Sequence, residues 1–153
     1  MRLRSLRVIL LSAMLIGTLA AQQASAMHDF WQNFVKRPLT GPKGDELFVR
    51  NYRDAFLPPR NTGPYFTGTV VSFTSNGKGG GVLLVTVEGS ASAEATLRFE
   101  GDELRFRSEP KVGAVVRFHG TVREFTKAPF MVIFDPDQIT GLDVEISERY
   151  RPF

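Results

Sequence analysis

The sequence predicts a mainly β protein, a small five-stranded barrel preceded by a partly helical arm. Three observations lead there. From Tyr65 onward, β-branched and aromatic runs of strand length alternate with glycine-rich turns. Two of these runs, Phe66-Thr67-Gly68-Thr69-Val70 and Phe118-His119-Gly120-Thr121-Val122, share the pattern F-x-G-T-V. Residues 27–62 differ in texture, being rich in aromatics and prolines without strict alternation.

The first residues have a character of their own. Met1 to Arg7 carries three arginines and no acid, Val8 to Ala21 is an almost unbroken apolar run, and Ala24-Ser25-Ala26 offers the small residues a signal peptidase requires. That is the pattern of a secretory signal, with cleavage expected after Ala26. The apolar run of 14 residues is shorter than the roughly 20 that cross a bilayer as a helix, so no stable membrane insertion is expected after cleavage. With no cysteine to accept a lipid, the expected location is periplasmic or secreted. The expected organisation is a signal peptide over 1–26, an aromatic-rich arm over 27–63 and the barrel over 64–153.

Within the arm, Asp29 is placed to cap a short helix running to Lys36, with Phe30, Trp31, Phe34 and Val35 on one side and Pro38 as its stop. Phe48, Tyr52 and Phe56 recur every four residues and suggest a second helix over Asp45 to Phe56, although Leu47 and Val49 equally suit the start of a strand. Leu57 to Pro64, with three prolines and a glycine, reads as a linker.

The barrel strands follow. Tyr65 to Thr74 is the first, and Ser75 to Gly81 turns it through a long, flexible loop into Val82 to Val87. Gly89 to Ser92 is the next turn, leading to Ala95 to Phe99, where Ala95, Leu97 and Phe99 share a face. Gly101 to Pro110 is open between a brief strand at Glu103 to Arg107 and a helical crossover. Ala114 to Phe125 forms the fourth strand, and Phe130 to Phe134 the fifth, ending at an acidic turn, Asp135-Pro136-Asp137-Gln138. A glycine inside a strand weakens it unless the backbone must coil or bulge there, as a short strand does when it bends round a small barrel.

These glycines carry a resemblance. The chain resembles the OB-fold, whose first and fourth strands commonly run valine-rich around a glycine, the fourth after a V-G-x-x-V stretch like Val112-Gly113-Ala114-Val115-Val116. The likeness covers about residues 64–142 and implies a five-stranded, OB-like Greek-key barrel. It also implies single-stranded nucleic acid or oligosaccharide on the face of strands two and three. Such folds usually hold a helix between strands three and four. Only about ten residues separate those strands here, so that helix is short, lost or replaced by the arm.

Composition narrows the function. Of the 19 Lys and Arg, Arg2, Arg4 and Arg7 lie in the leader, which leaves 16 against 16 Asp and Glu. A near-neutral mature chain removes the composition argument for nucleic acid. The absence of cysteine excludes thiol catalysis, Cys-bound zinc, iron–sulfur clusters and disulfide staples. Stability therefore falls to a core served by 13 Phe, 3 Tyr and Trp31. No cofactor and no metal site is expected: His28 and His119 lie too far apart in sequence to show a ligand spacing, and the acidic turn lacks the tight oxygen-rich loop of calcium.

The candidate ligand-binding residues are Arg98, Arg105, Arg107, Arg117 and Arg123, interleaved with phenylalanines, and Lys78 in the glycine loop. Strand alternation offers a plainer account, with each Phe in the core and each Arg in water, and Glu100, Asp102, Glu103 and Glu109 neutralise much of the stripe. Gly77 to Gly81 lacks the Lys-Ser/Thr of a P-loop and leads into a strand rather than a helix. In the arm, Trp31, Phe34 and Tyr52 are candidates for docking a partner, the plainer account being that the arm packs across the barrel. The leading expectation is a non-enzymatic exported module that binds a protein or glycan of the cell envelope. One alternative is single-stranded nucleic acid or oligosaccharide on the barrel face. The other is a small hydrolase using His119 with Glu124 or another acid, no catalytic set being recognisable by spacing.

Overall fold

The computed structural model describes residues 21–59, 65–101 and 104–146. Most of the expected signal segment, linker residues 60–64 and the arm–barrel boundary at 63/64 lie outside the described residues. Eight strands are described: β1 (Phe56–Leu57), β2 (Phe66–Ser75), β3 (Gly81–Val85), β4 (Ala95–Phe99), β5 (Leu104–Phe106), β6 (Val115–Lys127), β7 (Phe130–Thr140) and β8 (Val144–Ile146).

Five of them close a barrel in the order β2-β3-β4-β7-β6 and back to β2. All neighbours pair antiparallel except β4 and β7, which run parallel from Ala95↔Val132 to Leu97↔Phe134. This is the OB-like Greek-key arrangement expected from the glycine pattern. Burial alternates strictly along β3 and β4. The barrel interior is filled by Phe66, Val70, Leu83, Val85, Leu97, Val116, Phe118, Val122, Val132 and Phe134, all 0–1 % exposed.

One sequence expectation needs correction, and one open alternative is resolved. The fifth strand does not end at Phe134: β7 continues through Asp135-Pro136-Asp137, which is ladder rather than turn, because a bulge between His119 and Gly120 absorbs Asp137. The open segment after Gly101 contains β5, paired with β8 in a separate two-stranded sheet, and no helix among its described residues. In the Ser75–Gly81 loop Ser75 Oγ accepts the Gly77 N–H at 3.1 Å, and Asn76 makes the remaining side-chain bonds. Asn76 Oδ1 accepts the N–H groups of Lys78 (2.8 Å) and Gly80 (3.1 Å), while Nδ2 donates to the carbonyls of Phe99 and Glu100, both at 3.3 Å.

The arm differs more. Its first helical run, α1, spans residues 21–40: α-helical to residue 30, π-helical over Trp31–Lys36 and α-helical over Arg37–Thr40. Asp29 is therefore an exposed helix residue rather than a cap, and Pro38 does not stop the helix. Proline at 38 has no N–H to offer the carbonyl of Phe34 four residues back, and that carbonyl accepts the Tyr52 hydroxyl. The second run, α2, joins an α-turn, Gly44–Leu47, to a π-helical Phe48–Tyr52. Phe56 is not part of it. It lies in β1, on the edge of β6 opposite Thr121.

Trp31, Val35 and Leu39 are fully buried at steps of four, and the Trp31 ring meets Phe66 edge-on at 5.2 Å and approaches Phe130 at 6.1 Å. The arm thus covers the barrel end in place of an internal helix. The π-helical turn has a consequence for charge. Residues five apart on an α-helix point roughly 140° from one another, whereas i→i+5 bonding, as in Arg37 N–H to the Gln32 carbonyl, brings them close to one line. Trp31 and Lys36 both reach the carboxylate of Glu94, the indole at 2.7 Å. Glu94 is 4 % exposed, the one charged side chain buried among the described residues. Its backbone bonds Val85 on one side and Val132 on the other, at the seam where β4 meets β7.

The two F-x-G-T-V segments lie side by side, with Phe66 opposite Phe118. A Cβ on Gly68 would stand 2.2 Å from the Thr86 carbonyl oxygen, and one on Gly120 2.4 Å from that of Asp135. Both neighbours are backbone and have little room to yield, which is why these strand positions are glycine.

Two stability outcomes follow. Glu94→Ala should cost about 2–4 kcal/mol in urea unfolding, since it strands a buried indole N–H and the Lys36 ammonium, and Glu94→Gln, which retains an acceptor, clearly less; equal losses would show that the charge is what matters. Gly68→Ala should cost about 2–3 kcal/mol, against less than about 0.5 kcal/mol for Gly41→Ala, whose added Cβ meets nothing nearer than 3.4 Å.

Candidate functional site

The outward positions of the barrel define the site. Inward residues of β3 and β4 leave Val82, Leu84, Thr96 and Arg98 facing out, and the register sets Val82 against Arg98, Leu84 against Thr96 and Thr96 against Ile133. A row of half-exposed apolar and hydroxyl side chains therefore crosses three strands. The signal is present in the sequence: Val82-Leu83-Leu84-Val85 is continuously apolar rather than alternating, as in a strand covered on both faces.

Arg98 borders this row, and its charge is already spent. It donates from Nε (3.2 Å) and Nη2 (3.1 Å) to Asp135 Oδ1 and lies 3.5 Å from Glu124 Oε1. Arg123 donates to Asp135 Oδ2 and to Asp54 Oδ1, both at 2.6 Å. Those hydrogen bonds, Asp135 first and Asp54 second, raise the Arg123 guanidinium pKa further above its usual range. Two arginines thus meet three carboxylates. Beside them Phe99, Glu100, Leu104 and Pro136 complete a groove of about 260 Å³.

The other predicted cations lie away from this pair. Arg105 Nε donates to the Gly101 carbonyl at 2.7 Å, and its stem lies along Gly79. Arg107 stands 3.7 Å from Glu145. Arg117 is exposed on β6 and, among the described residues, has no ionic partner; it lines a separate hollow with Tyr65, Thr67 and Glu88. Lys78 is exposed in the Asn76-organised turn. The structure brings Arg98 and Arg123 together on shared carboxylates, sets Arg105 on β5 and Arg107 directly after it beside the turn that carries Lys78, and leaves Arg117 apart on β6.

His119 is not paired with Glu124, which belongs to Arg98. Its ring lies between those of Phe56 and Tyr65, each at 4.9 Å, with Nδ1 buried, without a hydrogen-bond partner, and 3.6 Å from Asp137 Oδ2. The Tyr65 hydroxyl, 3.2 Å from Gln138 Oε1, donates away from the ring. Among the described residues no group of three or more His, Asp or Glu side chains is placed to hold a metal ion.

The arm residues separate as well. Trp31 is fully buried and unavailable to a partner, whereas Phe34 is 64 % exposed with Phe30 stacked on it at 5.7 Å. Tyr52 is half-buried, and burial raises its phenol pKa, keeping it a donor to Phe34. The sequence reading missed Asp54 and Glu94 altogether and read Asp135 only as a turn residue. Asp54 lies 69 residues before Arg123, a separation that no local spacing reveals.

Among the described residues no helix is long and apolar enough to cross a membrane. No protein family, curated protein or solved structure matches the chain.

Proposed function

We propose that the protein is an exported, non-enzymatic binding module of the cell envelope that holds a protein or glycan partner on the outer face of β3, β4 and β7. The observation that carries this is charge satisfaction beside an apolar row. Arg98 and Arg123, the two cations nearest that face, end on Asp135, Asp54 and Glu124, so the surface offered is Val82, Leu84, Thr96 and Ile133. A polyanion gains affinity when free cations on the protein displace its condensed counterions, and here the two cations already have carboxylate partners. A neutral or mixed partner needs only contact area and a few oriented polar groups, which the ion-paired groove supplies at the edge of the row. A binding role also suits the His119 site, where two rings cover the imidazole and its acid neighbour, Asp137, stands 3.6 Å away, beyond hydrogen-bond distance.

Export rests on the leader pattern and gains support from burial. Residues 21–26 are all exposed, and the core begins at Met27, 3 % exposed. Cleavage after Ala26 therefore removes nothing that the described core uses.

The test is capture by the form beginning at Met27 from envelope extract, repeated with Leu84→Lys/Thr96→Lys. The native protein is expected to retain one reproducible partner, and the double variant to lose it while unfolding within about 1 kcal/mol of native. Retention of the same partner by the variant would remove the face from consideration. Titration with single-stranded oligonucleotide at about 0.15 M salt is expected to show no binding. A salt-dependent affinity that weakens in Arg98→Ala/Arg107→Ala would instead move the assignment to nucleic acid.

A further inference from the structure

The hollow lined by Gln23, Ala24, Met27, Tyr65, Thr67, Glu88 and Arg117 contains both sides of the expected cleavage point. Gln23 and Ala24 leave with the leader, while Met27 and Glu88 stay. The α-amino group that cleavage creates belongs to Met27, which is held in place by the burial of its own side chain. The next residue is tied to the same spot, since His28 Nδ1 lies 2.9 Å from the Glu88 carbonyl oxygen.

Glu88 is itself fixed. It has a left-handed backbone (φ 50°), its N–H donates to the Thr67 carbonyl at 2.8 Å, and its Oε1 accepts the Thr67 N–H at 2.7 Å. Its other carboxylate oxygen has no hydrogen-bond partner among the described residues, and Arg117, across the hollow, forms no ion pair with it. Burial pushes the Glu88 carboxyl above its ordinary range, against the opposing pull of the Thr67 N–H and of His28. A half-buried carboxylate with a free oxygen, held rigidly beside a residue about to gain a positive charge, lacks only that cation.

We infer that leader removal completes this site: the new Met27 ammonium docks on Glu88 and pins the start of α1 to the connection between β3 and β4. The inference rests on the cleavage after Ala26 proposed above. An anion at the first turn of a helix is also favoured by the helix dipole, so the carboxylate is stabilised twice. Docking ties the finished fold to export, because the uncleaved chain has an amide where the ammonium must be.

The whole chain, leader included, is expressed in an exporting bacterium, and the exported product is weighed intact. It is then treated with a zero-length carbodiimide, which joins an amine to a carboxylate only in direct contact, and the linked peptides are sequenced. The Lys127–Asp45 pair, at 2.9 Å, is the internal control. The expected result is a product beginning at Met27 with a Met27–Glu88 amide formed in yield comparable to the control and absent in Glu88→Gln. A product that retains the leader or begins elsewhere overturns the cleavage reading, and the docking with it. A product beginning at Met27 that yields the control link but no Met27–Glu88 link overturns the docking alone. Because the decisive link is sought in the unaltered chain, the outcome does not depend on how well the variant folds.

Discussion

The buried carboxylate of Glu94 sets the terms for the rest of the structure. A lone charge in an apolar core costs several kcal/mol unless it is paired and fully hydrogen-bonded, and Glu94 stands where β4 begins and where the parallel β4–β7 pairing closes the barrel. Its partners come from elsewhere in the chain, Trp31 and Lys36 on α1. One carboxylate therefore makes the arm a necessary part of the barrel, since without α1 the seam holds an uncompensated charge. The π-helical turn follows from the same demand, because it aligns two donors five residues apart. Pro38, near the end of that helix, weakens the α-helical alternative.

Seen from the arm, the β3–β4 connection is a socket. Glu88 receives His28, and Glu94 receives Trp31 and Lys36. This end of the barrel is filled by Trp31 and the aromatic rings around it. The turn between β2 and β3 lies at the opposite end of the hairpin and is fixed by Asn76. With one end plugged by the arm and the other turn ordered internally, the proposed binding role falls to the side of the barrel. There β3 offers apolar groups outward as well as inward.

Much of the barrel was legible because it rests on local regularities. Alternation at Ala95, Leu97 and Phe99 and the repeated F-x-G-T-V fixed strands and facing, and the two glycines mark places where another backbone passes too close for a Cβ. The arm was legible only as an apolar mass that needed covering. Its actual course depends on long-range facts: the carboxylate that favours a π-turn, and the Tyr52 hydroxyl that serves a carbonyl left short by Pro38. Neither has a signature in the local pattern, and Glu94, set among alanines and serines, has none of its own. β8 and the extension of β7 through Asp-Pro-Asp were hidden for a related reason. Turn-forming residues dominate in the β7 extension, where only the bulge opposite Gly120 lets the strand pass, and β8 is three residues long with its partner β5 about 40 residues earlier.

The site divides along the same line. Alternation was enough to say that Arg98, Arg117 and Arg123 face water beside buried or half-buried phenylalanines, but not what they meet there. Arg98 finds Asp135 across the β4–β7 pairing and Arg123 finds Asp54 at the end of the arm, so the satisfied state of these charges is a product of topology. Exposed pairs of this kind add little to stability. On the binding role proposed above, their larger effect is on recognition, because they occupy two guanidiniums that an anionic ligand would need and leave the neighbouring row of Val82, Leu84, Thr96 and Ile133 as the feature that discriminates. An arm that plugs the barrel and carboxylates that neutralise its rim act in the same direction, leaving a neutral side face in a fold whose interleaved arginines and phenylalanines, read in sequence alone, had left a basic groove open as an alternative.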